Sequence, residues 1–439
     1  MPVAHDMNIT AGLRRIARET PDAPALIVGS AIDGVPEGHV YTCLALDRVV
    51  DAIAIRAAGW NLAPGKHAAL LFRSFLPTLL LKLGLARAGV PACNIPAPEH
   101  AGVNILLRDA DSRDDVRTIV ADSSWWLEES NVPGPIATDG GTVLMHQGTS
   151  GTTGAPKLVL TTHAIFARRW ARLFTRMPPL RERRMMCTIG PGGGPSFPYL
   201  VKTVEAKGSV VVAGSPDGFL SSIERHRVSL LVTNPFGAQG IVESMPAGAP
   251  QPPSLELVVL TGARVNAAMA RLVTHRLCPN VLSSYASTEA GLIAAGPVSE
   301  VASIEGAAGY AYDGVAIDIL DDDGAVLPKG ATGHVRVRTP GQAREYLGDP
   351  EATARTFRDG WVYMQDIGRI TEDGMLVIAG RADDVIMLGG SKVSPDEIES
   401  VLLGVPGIRE AAVFGVPDEF DKHIVHAAIV TDGDIQLSA

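Results

Sequence analysis

The sequence predicts an α/β fold: a large multi-subdomain layered α/β body, in which helices flank parallel sheets and a small antiparallel β subdomain follows, and then a small α+β unit. Three observations predict it. Short apolar runs alternate with helix-like segments over most of the 439 residues. After about residue 310 the pattern changes to short strands joined by Asp-Gly turns, and a strongly signalled helix starts at about residue 394.

The parallel body is predicted from strand-and-helix repeats. The apolar run 68–72 precedes a helical stretch, 76–88, that ends at Gly89. Fully apolar runs of four or five residues between helices are typical of parallel strands covered on both faces. The other strand candidates are 210–213, 230–233 and 257–260, and the helix candidates between or after them are 218–227 and 266–277.

The antiparallel part is predicted from residues 315–320, 333–338 and 361–378, with turns at Asp323-Gly324 and Asp373-Gly374. Asp-Gly between apolar runs is a hairpin signal. A later helix should begin at Ser394-Pro395-Asp-Glu397, because Ser is a favoured N-cap, Pro suits the first helical position, and Glu follows three residues after the cap. Two β-rich runs, 410–415 and 425–430, complete the small α+β unit.

Composition excludes several functional classes. Apolar residues make up 46% and charged residues 20%, an ordinary globular balance. The net charge of −10 argues against binding to nucleic acid or to an anionic membrane, since either would require a basic surface. No apolar run reaches the ~18 residues of a membrane span. The four cysteines show no C-x-x-C spacing, and the first ten residues do not resemble a secretory signal, so we expect a cytoplasmic protein.

The loop from Thr149 to Leu158 has the composition of a polyphosphate site. It holds four hydroxyl side chains, two glycines and Lys157 between two apolar runs. Backbone N–H groups can approach an anion closely where no side chain intrudes, and a lysine adds a point charge. The loop does not fit the P-loop pattern G-x-x-x-x-G-K-[ST], because a proline precedes the lysine and a leucine follows it. On its own, such a loop is more often a flexible connection.

Together with three later motifs, this loop resembles the adenylate-forming (AMP-binding) superfamily, and most closely its acyl- and aryl-CoA synthetases. The motifs are Tyr285-Ala-Ser-Thr-Glu289, Gln365-Asp-Ile-Gly368, and a run that begins at Gly380-Arg-Ala-Asp-Asp and continues to Pro395-Asp-Glu-Ile-Glu399. They stand in the family's order over most of the chain. The resemblance implies a body over 1–380, a hinge over 381–384 and a C-terminal lid over 385–439.

The resemblance also implies roles for single residues. Lys157, Thr288 and Glu289 would be catalytic, with Glu289 as the Mg²⁺ ligand, and Asp383 would be the hinge residue. Tyr285 would stack on adenine, and Asp366, helped by Arg381, would bind the ribose. The implied ATP- and AMP-binding positions are Thr149, Ser150, Gly151, Thr152, Thr153, Gly154, Tyr285, Thr288, Asp366 and Arg381. The implied acyl pocket consists of Asn234, Phe236, Gly237, Gly262, Ala263 and Arg264. Arg264 could bind a second carboxylate on the substrate or could simply be an exposed arginine at a helix start.

The C-terminal region departs from the family pattern. The lid is expected to be incomplete, and the lysines after the hinge, Lys392 and Lys422, do not lie in the family's Pro-Lys-x-x-x-Gly-Lys-like context. We expect a ligase that uses ATP and Mg²⁺ to convert a carboxylic acid to an acyl-adenylate and, with a complete lid, then transfers the acyl group to CoA. The alternatives are loading of an acyl-carrier protein and nucleotide binding with impaired catalysis. A second copy of the chain is a further candidate partner.

Overall fold

The computed structural model describes residues 8–60, 67–72, 74–93, 103–108, 117–136, 139–149, 157–178, 183–190, 194–382, 386–388, 391–393, 395–403, 405, 407–417 and 423–431. Helices and strands are numbered in chain order. The helices are α1 (Ala11–Glu19), α2 (Cys43–Ala58), α3 (Phe75–Ala88), α4 (Ser124–Leu127), α5 (His163–Trp170), α6 (Ser196–Glu205), α7 (Phe219–Arg225), α8 (Pro235–Ser244), α9 (Ala267–Arg276), α10 (Val298–Val301), α11 (Pro350–Thr356) and α12 (Pro395–Leu403).

A six-stranded sheet forms one layer of the described body. Its strand order is β6-β5-β3-β4-β7-β8, and all neighbours are parallel except the hairpin of β7 and β8. This hairpin carries the two ends of the predicted phosphate loop. The strands are β3 (His67–Leu71), β4 (Ala92–Cys93), β5 (Val103–Arg108), β6 (Arg117–Val120), β7 (Val143–Gly148) and β8 (Leu158–Thr162).

The larger sheet contains a parallel section with the order β13-β12-β11-β9-β10-β1, and β2 is added antiparallel at its edge. The predicted strands 230–233 and 257–260 are confirmed as neighbouring parallel strands, β11 and β12. The strands of this section are β1 (Pro24–Val28), β2 (Val40–Thr42), β9 (Arg184–Cys187), β10 (Ser209–Val212), β11 (Leu230–Thr233), β12 (Leu257–Thr261) and β13 (Val281–Ser287).

Both faces of this parallel section are buried, as the apolar runs predict. Leu230 and Val232 of β11 belong to a core cluster shared with α1, α2 and α3, whereas Leu231 belongs to a cluster with α7, α8 and α9. Successive residues of a strand point to opposite faces, so a strand between two helical layers needs an apolar residue at every position. The helices α2 and α3 pack so closely that a Cβ on Gly84 would lie 2.2 Å from Ile53 Cγ2.

The antiparallel strands predicted after residue 310 are confirmed, but they are not a separate sheet. They continue the larger sheet in the order β13-β14-β15-β20-β19-β17-β16, and β18 pairs with β19. The Asp-Gly turns have Gly324 at φ 85° and Gly374 at φ 91°, a left-handed conformation that glycine tolerates. These strands are β14 (Gly291–Pro297), β15 (Ala307–Ala311), β16 (Ala316–Leu320), β17 (Gly333–Arg338), β18 (Phe357–Arg358), β19 (Trp361–Ile370) and β20 (Met375–Arg381).

The C-terminal α+β unit contains α12, one short antiparallel hairpin and one longer one. Val413 N donates to Glu399 Oε1 at 2.8 Å, which ties the second hairpin to α12. The predicted cap Ser394 and the predicted hinge residue Asp383 lie outside the described residues. The strands of this unit are β21 (Ile386–Leu388), β22 (Ser391–Val393), β23 (Ile408–Pro417) and β24 (His423–Thr431).

None of the helices in the described ranges has both the length and the apolar composition that crossing a membrane would require. The four cysteines carry free thiols: Cys43, Cys93 and Cys278 are buried, and Cys187 is partly buried.

Candidate active site

The carboxyl ends of three neighbouring parallel strands carry the predicted acyl pocket together with Thr288 and Glu289. Residues 234–237 follow β11, residues 262–264 follow β12, and Thr288 and Glu289 follow β13. Because parallel strands end at the same edge of a sheet, the fold brings these three segments to one side of the molecule. Open α/β sheets commonly bind their ligands at this edge.

The predicted phosphate loop connects β7 to β8. Gly148 pairs with Leu158, and Thr149 N donates to Lys157 O at 2.9 Å. Both ends of the loop are thereby fixed to the sheet. The predicted phosphate-binding residues between them, Ser150, Gly151, Thr152, Thr153 and Gly154, lie outside the described residues.

Tyr346 connects two of the predicted catalytic residues. Its hydroxyl donates to Glu289 Oε1 at 2.8 Å, and Lys157 Nζ lies 5.6 Å from the centroid of its ring. The side chain is buried, and burial together with the charge of Glu289 raises the pKa of Tyr346. The phenol therefore remains protonated and acts as a hydrogen-bond donor to the carboxylate.

The segment 339–347 holds both ends of this connection. Leu347 N donates to Leu158 O at 2.7 Å, next to Lys157, while Ala343 N donates to Glu289 O at 2.8 Å. Thr339 Oγ1 donates to the carbonyl of Ala290. One stretch of chain therefore fixes the end of the phosphate loop relative to the Thr288–Glu289 segment.

Arg169 also fixes the Thr288–Glu289 segment. Its guanidinium donates to the carbonyl oxygens of Thr288, Glu289 and Gly341 at 3.0, 3.1 and 3.0 Å. Only 2% of Arg169 is exposed, and this burial lowers its pKa to about 10, an effect that the nearby Glu289 carboxylate opposes. A Cβ on Gly291 would lie 2.4 Å from Arg169 Cγ, so a glycine is needed there for the arginine to fit.

The residues predicted to bind the nucleoside also meet. The Tyr285 hydroxyl donates to Asp366 Oδ2, and Asp366 pairs across β19 and β20 with Arg381. Arg381 Nη2 donates to Gln365 Oε1 at 2.7 Å. Burial, reinforced by the Asp366 carboxylate, raises the pKa of Tyr285. The ring of Tyr285 and the carboxylate of Asp366 are thus held as one unit.

The predicted acyl-pocket residues have diverse surroundings. Asn234 is the N-cap of α8, and its Oδ1 accepts from Gly237 N at 2.7 Å. Phe236 is 78% exposed, so its ring is not enclosed by described residues. Arg264 Nη2 donates to the Ile378 carbonyl at 3.1 Å and links this edge to β20. Arg264 is therefore partly buried and hydrogen-bonded to the backbone.

The remaining two predicted pocket residues, Gly262 and Ala263, are exposed in the turn after β12. Gly262 has a φ of 86°, in the region where residues other than glycine are strained.

The donor set around Glu289 fits Mg²⁺ bound chiefly through a nucleotide. In the part of the chain that is described, no three or more His, Cys, Asp or Glu side chains are grouped to hold a metal by themselves. Mg²⁺ commonly uses one or two protein carboxylates together with substrate phosphates and water. Glu289, with its carboxylate oriented by Tyr346, is suited to be such a ligand.

Arg169 and Tyr346 were not predicted from the sequence. For Arg169 a signal exists: Ile165 and Phe166 are apolar helix positions, and a residue three or four positions later lies on the same buried face. An arginine on that face must find buried acceptors. No spacing in the sequence links Tyr346 to Glu289.

Comparison with known proteins identifies the family. The AMP-binding enzyme family profile matches residues 13–347, and that of the AMP-binding enzyme C-terminal domain matches 397–439. The chain is 30% identical to fatty acid–[acyl-carrier-protein] ligase ScoC of Streptomyces coeruleorubidus, over 94% of this chain and 85% of that protein. It is 28% identical to feruloyl-CoA synthase of an Amycolatopsis species, over 97% of this chain and 90% of that protein.

A solved structure shares the fold. O-succinylbenzoate coenzyme A synthetase (MenE) of Bacillus subtilis, in complex with ATP and a magnesium ion, superimposes with a TM-score of 0.84 at 24% identity. The match covers 97% of this chain and 90% of that one. With its two family profiles and its ligase relatives, the chain belongs to the AMP-binding enzyme family and is an AMP-forming ligase that adenylates a carboxylic acid and joins it to a thiol.

Proposed function

We propose that this chain uses ATP and Mg²⁺ to convert a carboxylic acid to an acyl-adenylate, releases pyrophosphate, and then transfers the acyl group to CoA. The observation that carries the proposal is the contact of Tyr346 with both Lys157 and Glu289. It joins the end of a phosphate-type loop to a carboxylate suited to Mg²⁺. Nucleophilic attack of a carboxylate on the α-phosphate needs little proton transfer, so positioning and charge stabilisation should provide most of the catalysis.

In this proposal, Lys157 and the loop 149–154 bind the β- and γ-phosphates. Thr288 contacts the α-phosphate, and Glu289 holds Mg²⁺, which would neutralise phosphate charge when bound. Arg169 fixes the backbone of Thr288 and Glu289 by bonding their carbonyl oxygens. The two side chains therefore project from an anchored segment.

The nucleoside would lie against Tyr285 and Asp366. A tyrosine ring offers a stacking surface for adenine, while the carboxylate can accept hydrogen bonds from the ribose hydroxyls. Oδ2 of Asp366 already accepts from Tyr285, so the orientation of the carboxylate is set before the nucleotide arrives. Arg381 assists from the neighbouring strand, and Asp383 is proposed as the hinge about which the C-terminal unit turns between the two half-reactions.

The acyl group would lie at the edge formed by 234–237 and 262–264. These segments are mostly small and apolar apart from Asn234 and Arg264, and Asn234 is already engaged in capping α8. Such a surface favours an aryl or medium-chain acyl group over an amino acid. The exposed ring of Phe236 is available to stack on an aryl substrate.

The acceptor thiol has two candidates. The similarity to a feruloyl-CoA synthase favours CoA, while the similarity to an acyl-carrier-protein ligase favours a carrier. CoA remains the proposal, since the hinge-to-lid run 386–391 most resembles acyl- and aryl-CoA ligases. The buried free thiols suit a reducing compartment, consistent with a cytoplasmic enzyme.

The proposal is tested by ATP–pyrophosphate exchange with a panel of aryl, short-, medium- and long-chain acids. We expect exchange with one class of acid. The substitution Glu289→Gln removes the charged group that holds Mg²⁺ in this proposal, so it should reduce the exchange rate by ~10²–10³. Glu372→Gln, at an exposed carboxylate, is the matched control. Thioester formation is then compared with CoA and with a carrier protein as acceptor.

One result would count against this function, and another against the role of Glu289 alone. ATP binding without exchange for any acid would support the nucleotide-binding alternative. Exchange that survives in Glu289→Gln would remove Glu289 from the metal site while leaving the adenylation reaction in place.

A further inference from the structure

We propose that Tyr346 is a positioning residue that orients the Glu289 carboxylate toward Mg²⁺ and fixes its place relative to Lys157. This inference rests on the proposed function, because it assigns Glu289 to the metal. The contact joins residues 57 positions apart in the chain.

The backbone around Tyr346 is anchored on two sides. Tyr346 pairs with Val159 as an isolated antiparallel bridge, so it lies beside the strand that starts just after Lys157. Its N–H donates to Thr353 Oγ1 at 3.0 Å, and that threonine is part of α11. The residue is therefore fixed both to the end of the phosphate loop and to a helix.

The side chain of Tyr346 is also held in one position. It is 7% exposed, and its ring centroid lies 5.1 Å from that of Phe357. A small buried cluster of Val159, Ala343 and Ala352 packs around it. A ring enclosed in this way presents its hydroxyl at a fixed point, which preorganises the hydrogen bond to Glu289.

Glu289 gains an orientation that its own environment would not impose. It is only partly buried, and a glutamate side chain has three rotatable bonds, so the free carboxylate would sample several positions. The hydroxyl of Tyr346 holds one oxygen, Oε1, and thereby sets the direction of the other. Groups that hydrogen-bond a metal ligand in this manner typically change metal affinity or activity by about 10–100-fold when they are removed.

The ring of Tyr346 provides the contact with Lys157. The ammonium of Lys157 lies 5.6 Å from the ring centroid, within the range of a cation–π interaction. A single side chain therefore places the cation over its ring and the carboxylate at its hydroxyl. The proposed phosphate ligand and the proposed metal ligand would be kept at a constant separation.

The test is Tyr346→Phe, which removes the hydroxyl and retains the ring that packs on Phe357 and faces Lys157. The affinity for ATP is measured by calorimetry in excess Mg²⁺ and again in EDTA, because this readout does not depend on turnover. The matched control is Tyr310→Phe, which removes another tyrosine–carboxylate hydrogen bond, from Tyr310 to Asp373 at 3.0 Å on the surface. Thermal unfolding of each variant shows whether it folds.

We expect Mg²⁺ to strengthen ATP binding in the wild type, and Tyr346→Phe to reduce that gain by about 10-fold. Affinity in EDTA and the unfolding temperature should change little, and Tyr310→Phe should match the wild type. The double variant Tyr346→Phe/Glu289→Gln should lose no more of the gain than Glu289→Gln alone, since Tyr346 acts through Glu289.

The two proposals fail in different ways. If Mg²⁺ does not change the ATP affinity of the wild type, Glu289 has no metal role and this inference fails with it. If the Mg²⁺-dependent gain in ATP affinity disappears in Glu289→Gln but survives in Tyr346→Phe, only the positioning role of Tyr346 is overturned. Additive losses in the double variant would also overturn it.

Discussion

Arg169→Met tests whether a buried guanidinium holds the Thr288–Glu289 segment in place. The substitution keeps the length and the apolar stem of the side chain but removes its donors. In the folded protein, three carbonyl oxygens would each lose a donor at a site where Arg169 is 2% exposed, and the Glu289 oxygen would retain its bond from Ala343 N. Water cannot readily replace a donor at that depth.

The magnitude follows from two opposing terms. A hydrogen bond from a charged donor contributes about 1.5–3 kcal/mol, so three of them contribute about 4.5–9 kcal/mol. Burial lowers the pKa of Arg169 to about 10, and removing the buried charge therefore recovers about 3 kcal/mol. The net loss of unfolding free energy should be about 1.5–6 kcal/mol.

The assay is urea-induced unfolding, accompanied by ATP–pyrophosphate exchange at a temperature where the variant is folded. Arg168→Met is the control, because its side chain is exposed one position earlier on the same helix. Exchange should fall in Arg169→Met, since Thr288 and Glu289 both lose their anchor. An unfolding free energy within about 0.5 kcal/mol of the wild type, the usual range for surface changes, together with full exchange would refute the reasoning.

Two further predictions concern groups outside the site. Arg87 is fully buried and pairs with the carboxylates of α2, so Arg87→Met should cost about 3–5 kcal/mol of unfolding free energy. Arg15→Met removes an exposed ion pair and should cost about 0–1 kcal/mol. Equal urea midpoints for the two variants would contradict this. Burial lowers the pKa of His146 and of His163 to about 4, against about 6.5 in an unfolded chain. The unfolded chain binds more protons between these values, so stability should be complete above about pH 6.5 and should decline as the pH falls to about 4. His146→Gln should flatten that decline when the urea midpoint is measured against pH. If the midpoint of the variant depends on pH as strongly as that of the wild type, His146 is not a source of the decline.

Local patterns predicted the secondary structure well where the residue types of one short segment define it. The apolar run 230–233 is fully buried as β11, because helices cover both faces of that strand. Gly89 ends α3 in a left-handed conformation with φ 72°, as expected for a helix-terminating glycine. The sequence did not predict that the antiparallel strands extend the parallel sheet, since that depends on pairing between β14, β15 and β20.

The amino-acid sequence by itself determined the family, the order of the motifs that resemble nucleotide-binding ones, and the alternation of strands and helices. These are short-range properties, encoded in spacings of a few residues and in apolar periodicity. Only the tertiary structure decided that Tyr346 connects Lys157 to Glu289, and that Arg169 bonds backbone carbonyls 119 and 120 positions away. The physical reason is that such contacts arise from which strand ends become neighbours, and no local spacing records the distance between residues that meet only after the sheets have formed.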